Sequence, residues 1–169
     1  EQDLKQGLEA DKFEFHKWSV DQLSGIQVSL QTLFRNFHPK ETLEQWQGLV
    51  SRMSKAKTKL ENAANDLIAG AKEGYKVPKV GLTRVISQVD AILEQQPSIF
   101  HQLADAVPEN LEDRDSIVNG IKQAADNSIL VGMKYYRKAL SEHCLPVASD
   151  NHGLWDNKNG KDCYRFMIR

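Results

Sequence analysis

Residues 42–73 read TLEQWQGLVSRMSKAKTKLENAANDLIAGAKE, and apolar side chains recur in them at alternating spacings of three and four. Such spacing places these side chains on one stripe of an α-helix. Thr42, followed three residues later by Gln45, predicts a capping box, and Gly74 and Pro78 predict where the helix ends. We therefore expect one helix from about residue 42 to 73. Its apolar stripe contains Trp46, Leu49, Met53, Ala56, Leu60, Ala63 and Leu67.

Two later segments show the same helical period. The first lies between Pro78 and Pro97, and the short connection 74–80 predicts that it packs antiparallel to the helix before it. The second runs from about residue 111 to 143, before Pro146, and a short helix is expected over 99–106 between the two. Gly120 and Gly132 indicate close packing or a bend, because glycine costs about 1 kcal/mol relative to alanine within a helix. The inward positions of this last long helix are predicted to be Ile117, Ile121, Ala125, Ser128, Gly132, Tyr135 and Ala139.

The first 40 residues follow a different pattern and are rich in aromatic side chains. Ile26, Val28 and Leu30 alternate with polar residues, which predicts an extended segment over 24–31. No partner strand is evident, so we expect residues 1–40 to form an irregular aromatic arm that lies over the helices, with 11–23 as its one candidate helical stretch. The predicted fold is all-α. It consists of this arm and a bundle-like domain of long antiparallel helices over 41–169, with a final helix starting near residue 160, as one continuous unit.

Charge and composition narrow the classes of function. The chain has 169 residues, 40% hydrophobic and 27% charged, and a formal net charge of −1. This balance is typical of a folded domain and argues against nucleic-acid binding, because no basic excess is present. The longest apolar run, near Ile129, is too short to span a membrane.

The sequence contains no recognisable catalytic motif, and we assign no catalytic and no metal-binding residue. The G-x-S-x-G elbow, the phosphate-binding G-x-x-x-x-G-K-[ST] loop and the H-E-x-x-H zinc motif are all missing from the sequence. His143, Cys144, Asp150 and His152 are close enough in sequence to suggest metal ligands, but a helix-terminal and a loop histidine in solvent explain them better.

Three adjacent residues are the remaining site candidates. Tyr135, Tyr136 and Arg137 could line a cleft with two ring hydroxyls and a guanidinium group. The competing interpretation places Tyr135 in the core and Arg137 in solvent.

Several stretches, in this order and spacing, resemble the bacterial "domain of unknown function 885" family over residues 21–169. They are DQLSGIQ at 21–27 with NFHP at 36–39, GYKVPK at 74–79 with VISQV at 85–89, and Tyr136-Arg137, Leu145-Pro146, Gly153-Leu154-Trp155, Gly160 and Tyr164.

The resemblance implies a long, largely helical parent protein that is a zinc-dependent peptidase or hydrolase, periplasmic or extracellular and in some members lipid-anchored. Its zinc site would use a His-Glu pair with a nearby Pro-Gly-His, downstream of the matched region. Neither element occurs in this sequence, so no catalytic residue is carried over. The helical pattern also reaches Arg169 unfinished, which predicts that the chain is part of a longer one. In an exported protein, Cys144 and Cys163 would be candidates for a disulfide.

The expected role is therefore a scaffold or cleft wall without its own catalytic site, and without a cofactor in this segment. Expected partners are the remainder of the parent chain and a peptide-like substrate, with self-association through exposed apolar surface. The alternative is a self-contained helical module that binds a partner helix or senses a ligand.

Overall fold

The computed structural model describes residues 2–151 and 153–168, with side chains from residue 7 onward. The described chain is all-α, as predicted, and contains no strand. The helices are α1 Gln2–Asp11, α2 Ile26–Thr32, α3 Leu43–Ser54, α4 Ala56–Lys72, α5 Lys79–Glu94, α6 Arg114–Ala124, α7 Leu130–Ala139 and α8 Gly160–Met167. Wide π turns at Leu33–Phe37, Ala125–Ile129 and Leu140–Cys144 continue α2, α6 and α7. Short 3₁₀ turns lie at Phe15–Lys17, His101–Ala106, Leu145–Val147 and Leu154–Asp156.

The bundle is built around the seam between α4 and α7. These two helices run parallel, since the Lys57 region lies beside Ser128 and the Cys144 thiol reaches the carbonyl of Leu67. Gly132 brings the two backbones together, because a Cβ there would lie 2.8 Å from Leu60 Cδ1 and 3.1 Å from Lys57 Cα. The close packing predicted for Gly132 is confirmed. Helix α5 runs in the opposite direction and packs mainly on α7 and on the π turn that continues α7.

The helix predicted over residues 42–73 is broken at Lys55 into α3 and α4. Ser128, buried on the π turn after α6, is inserted at the break. Its hydroxyl lies 2.9 Å from the Met53 carbonyl and 3.0 Å from the Ser54 carbonyl, and it accepts a 3.0 Å bond from the Lys57 N–H. A side chain that inserts into a helical ladder is a known cause of a bend. Periodicity within 42–73 cannot show it, because the hydroxyl comes from another helix.

We expect Ser128→Ala to lower the free energy of unfolding by about 1–3 kcal/mol, because it leaves buried backbone groups at the break without a partner. Ser87→Ala is the matched control, since the exposed Ser87 hydroxyl bonds only the Thr83 carbonyl of its own helix. That control should stay within about 0.5 kcal/mol of the parent protein. Urea unfolding followed by circular dichroism measures both, and equal effects would contradict the bridging role of Ser128.

The N-terminal arm is more helical than expected. The prediction of an extended segment over 24–31 is wrong for 26–31, which begin α2. Leu30 and Phe34, four residues apart, are buried in the same hydrophobic cluster as Trp46 and Phe100. The four-residue spacing of these two buried side chains fits a helix better than the extended segment predicted from the alternation at Ile26, Val28 and Leu30. The 3₁₀ turn at Phe15–Lys17 packs on α4, so this part of the arm does lie over the helices.

Polar contacts fix α2 on α5. The Gln27 amide donates to the Asp21 carbonyl at 2.9 Å and to the Gln88 side chain at 3.0 Å, and Gln88 donates to the Gln22 carbonyl at 3.0 Å. Gly25 is needed beside them, because a Cβ there would lie 2.2 Å from the Asp21 carbonyl oxygen. The DQLSGIQ and VISQV stretches therefore meet in space, which gives both a structural role.

The turn-rich segment after α7 is tied to the loop before α5. The Ser149 N–H donates to the Val77 carbonyl at 3.0 Å, and the Lys79 N–H donates to the Ser149 carbonyl at 2.8 Å. Asn157 bonds both backbone groups of Lys76. These contacts join the GYKVPK stretch to the C-terminal stretch of the family resemblance, which ends at Tyr164 in α8.

Candidate functional site

The three predicted cleft residues do not share one surface. Tyr135 is 39% exposed, and its hydroxyl donates to the Asn65 side chain at 2.8 Å. Tyr136 is buried, and burial raises the pKa of its phenol. Arg137 forms a two-pronged ion pair with Asp90 of α5, at 2.8 and 3.2 Å. Of the three, Tyr136 therefore supports the core, and Arg137 joins α7 to α5.

Both cysteines are free, buried thiols in the structure. Cys144 belongs to the main hydrophobic cluster, and burial raises its pKa to about 11. Cys163 lies on α8, and burial also raises its pKa. Such thiols are poor nucleophiles near neutral pH, because the reactive thiolate is scarcely formed. The disulfide between them stays a prediction for the exported protein.

A hydrogen-bonded chain that the sequence analysis missed joins Ser98, His101 and Asp126. The Ser98 hydroxyl lies 2.7 Å from His101 Nδ1, and His101 Nε2 lies 3.0 Å from Asp126 Oδ1. If Ser98 donates to the ring and the ring donates to Asp126, the order matches that of a catalytic triad. However, Ser98 is 0% exposed, so a substrate cannot reach its hydroxyl. The S-x-x-H spacing was the only local signal, because Asp126 comes from another helix.

A second polar cluster anchors the arm. Lys17 Nζ pairs with Glu14 at 2.7 Å and with Glu73 at 2.8 Å, and the Tyr75 hydroxyl donates to Glu14 at 2.8 Å. The hydrogen bond from Lys17, followed by that from Tyr75, lowers the pKa of Glu14. Burial, followed by the bond to Glu14, raises the pKa of Tyr75 to about 12. The cluster holds the arm on the end of α4.

Glu14 should make stability depend on acid pH. Because its folded pKa lies below its ordinary value of 4.5, its contribution is present above that value and is lost as pH falls through the lowered pKa. Asp21 and Asp156 also have lowered pKa values and add to the same trend. We expect Glu14→Gln to lose less stability than the parent protein between about pH 5 and 3.

The measurement is the urea midpoint against pH. Glu109→Gln, a change at an exposed carboxylate, is the control and should follow the parent curve. A Glu14→Gln curve parallel to that of the parent would show that the Lys17–Glu14 pair does not form in solution.

A groove lies beside α2, and we call it the α2 groove. It measures about 450 Å³ and is lined by Leu23, Ser24, Val28, Ser29, Leu30, Thr32, Leu33, Phe37 and Lys59. A second hollow of about 220 Å³ shares Leu30, Leu33 and Lys59 with it and is also lined by Phe34, Arg52, Lys55 and Ala56. The two form one continuous depression between α2 and the junction of α3 with α4.

The serine hydroxyls that line the α2 groove are already hydrogen-bonded within the protein, so its floor is largely apolar. The Ser29 hydroxyl bonds the Gly25 carbonyl of its own helix at 2.8 Å, and Ser24 bonds the Asp21 carboxylate. Leu23 and Phe37 remain 78% and 75% exposed at its edge. Apolar side chains this exposed, grouped around a hollow, are typical of an interaction surface.

Two further features concern metal binding and membrane crossing. Residues 7–151 and 153–168 contain no group of three or more His, Cys, Asp and Glu side chains placed to hold a metal ion. His152, considered above as a metal ligand, lies outside the described residues. No helix among the same residues is long and apolar enough to cross a membrane.

The family model described as "Bacterial protein of unknown function (DUF885)" covers residues 1–169. No curated protein and no solved structure matches the chain. Because the family model spans the whole sequence, the chain belongs to this family of bacterial proteins of unknown function.

Proposed function

We propose that this chain is the helical part of a metal-dependent peptidase or hydrolase, in which it serves as scaffold and as one wall of the substrate cleft. The catalytic groups and a zinc ion would be supplied by the remainder of the parent chain. In this proposal residues 1–169 bind and orient a peptide-like substrate and carry no catalytic site of their own.

The observation that supports the proposal is the α2 groove. Its volume of about 450 Å³ falls in the range of about 300–1,000 Å³ that is usual for ligand sites, and it has the usual apolar lining with a few polar groups. A cleft wall needs this kind of surface, on a rigid support. The support here is α2, fixed on α5 through Gln27 and Gln88.

Hydrolysis of a quenched fluorescent peptide library, with and without a chelator, tests the proposal. The longer protein should show turnover that the chelator abolishes and added zinc restores, and residues 1–169 alone should show none. Chelator-sensitive turnover by residues 1–169 would overturn the absence of a catalytic site. A longer protein without any such turnover would overturn the hydrolase assignment.

The cleft-wall role has its own test in the longer protein. Phe37→Ser should raise KM with little change in kcat, because a wall residue contributes binding that is equal in the ground and transition states. Val131→Ser, at an exposed residue of α7, should change neither constant. A fall in kcat at unchanged KM would place Phe37 in the catalytic machinery instead.

The alternative is a self-contained helical module that binds a partner or senses a ligand, and the same groove favours it. The cleft-wall proposal and the module alternative make different predictions for the exposed apolar side chains on and near α8, among them Trp155, Met167 and Ile168. As a part of a larger protein, the chain should self-associate or bind a hydrophobic dye through this surface. A monodisperse monomer that binds no dye in light-scattering and fluorescence experiments would favour the module.

Export of the parent protein to the periplasm or beyond belongs to the same proposal. In that compartment Cys144 and Cys163 would form a disulfide that closes a loop of about 20 residues and adds roughly 3 kcal/mol in the chain-entropy model. Mass spectrometry of non-reduced, periplasmically expressed protein would detect the bond. Two free thiols in that sample would contradict it.

A further inference from the structure

We propose that the α2 groove binds an acidic amphipathic helix of a partner polypeptide. The inference extends the proposed function by naming a partner, but binding itself does not require that the parent protein is a hydrolase. It rests on the charge at the groove's rim, the exposure of its apolar edge and the wide turn that produces this exposure.

The charged residues that line the α2 groove and the second hollow are all cationic. Arg52, Lys55 and Lys59 line the depression, and none of its lining residues is an aspartate or glutamate. All three are exposed. Among the described residues none of them forms an ion pair, and Arg52 instead donates to His38 Nδ1 at 3.1 Å. Their charges are therefore available to an anionic partner, although the chain as a whole has a net charge of −1.

The spacing of these cations favours a helix as the partner. Arg52 at the end of α3, Lys55 at the break and Lys59 on α4 follow one another at steps of three and four and line the same hollow. Carboxylates at matching steps along a partner helix could pair with all three, whereas a fatty acid brings a single charge. An amphipathic helix would place its apolar face on Leu33 and Phe37 at the same time, as in helix-in-groove recognition.

The π turn at Leu33–Phe37 presents the apolar edge. In a regular helix Leu30, Phe34 and Phe37 would share one face, since they are four and seven residues apart. In the structure Leu30 and Phe34 are buried, but Phe37 is 75% exposed. The wide turn rotates Phe37 away from the core and onto the groove.

Two other classes of partner fit less well. Nucleic-acid binding is disfavoured by the charge of the whole chain, which has no basic excess. A membrane surface would engage a protruding face, whereas these cations border a hollow. Binding to anionic vesicles, measured beside peptide binding, distinguishes a membrane from a partner helix.

The test is fluorescence anisotropy with residues 1–169 and a labelled, helix-stabilised peptide with leucines on one face and glutamates at steps of three and four beside them. The parent protein should bind this peptide and should not bind the same peptide with lysines in place of the glutamates. Lys55→Glu/Lys59→Glu should weaken binding at least tenfold and should bind the lysine peptide instead. Lys134→Glu/Lys138→Glu, the control on exposed positions of α7, should keep the parent affinity.

Phe37→Ser tests the apolar edge and should weaken binding about fivefold or more without a change in the circular dichroism spectrum. Equal loss in the two lysine pairs would show that only net charge matters and would overturn the inference. So would a lack of peptide binding by the parent protein. The parent protein could also bind vesicles of 30% phosphatidylglycerol and not the peptide. If Lys55→Glu/Lys59→Glu then abolished vesicle binding, the groove would be a membrane-binding site instead.

Discussion

Phe34→Ala should lower the free energy of unfolding by about 3–5 kcal/mol, the usual cost of removing a buried phenylalanine. Phe34 is 1% exposed, and its ring meets that of Phe100 edge to face, with centroids 6.4 Å apart. The contact joins the arm to the segment before α6. The cavity left by the missing ring would also change the shape of the α2 groove, since Phe34 lines the second hollow that adjoins it.

Phe37→Ala is the matched control, because it removes the same side chain three residues later in the same helix. Phe37 is 75% exposed, so its loss should change stability by no more than about 0.5 kcal/mol. Chemical unfolding followed by circular dichroism measures both variants. Equal costs would mean that Phe34 and Phe37 share a buried face, which would exclude the π turn between them.

The Phe34–Phe100 contact can be measured directly. A double-mutant cycle with Phe34→Leu and Phe100→Leu should give a coupling energy of about 0.5–1.5 kcal/mol, as expected for an edge-to-face pair. A coupling near zero would show that the rings are buried independently.

Much of the bundle could be predicted from single residues and their spacing. The capping box at Thr42 and Gln45 is confirmed, since the Gln45 N–H donates to the Thr42 hydroxyl at 3.3 Å and the Gln45 side chain accepts from the Thr42 N–H at 3.4 Å. Trp46, Leu49 and Leu60 are buried on the predicted stripe. Local chemistry decides these features, so a sequence is enough to find them.

The errors arise where local spacing does not decide the structure. The predicted inward positions that are buried as expected are Ile117, Ile121, Ala125, Ser128, Gly132 and Ala139, but Tyr136 is buried in place of Tyr135. Steps of three and of four both fit a helical stripe, so spacing alone does not choose between these two neighbours. The bend at Lys55 depends on Ser128 from another helix, which no local pattern reveals.

The candidate site could be predicted less well than the fold. The α2 groove consists of ordinary leucine, valine, phenylalanine and lysine residues that come together only when α2 meets the junction of α3 and α4. Helical spacing predicts that Lys55, Lys57 and Lys59 spread over a solvated face, and Lys57 does pair with Glu61 at the surface, at 3.7 Å. Lys59 instead borders a hollow, which helical spacing alone does not reveal.

Gly70→Ala should destabilise the protein by about 2–3 kcal/mol, although the same change in an unobstructed helix is stabilising by about 1 kcal/mol. A Cβ on Gly70 would lie 2.0 Å from the Lys17 carbonyl oxygen and 2.8 Å from the carbonyl carbon. Both are backbone atoms, so a change of side-chain rotamer cannot relieve the overlap. The arm would have to move off α4, against the ion pairs of Lys17 with Glu14 and Glu73.

Gly81→Ala separates this overlap from the intrinsic preference for alanine. Gly81 lies in the first turn of α5 with nothing within 4 Å of its virtual Cβ, so this variant should gain about 0.5–1 kcal/mol. Urea unfolding gives both values, and limited trypsin digestion reports whether the bonds after Lys12 and Lys17 become accessible in Gly70→Ala. A Gly70→Ala variant as stable and protease-resistant as Gly81→Ala would mean that the arm does not dock at Lys17. The position of α2, which lies later in the same arm, and with it the α2 groove, would then have to be revised. Loss of stability with early cleavage at Lys17 would instead show that the arm is held on α4 as the contacts indicate.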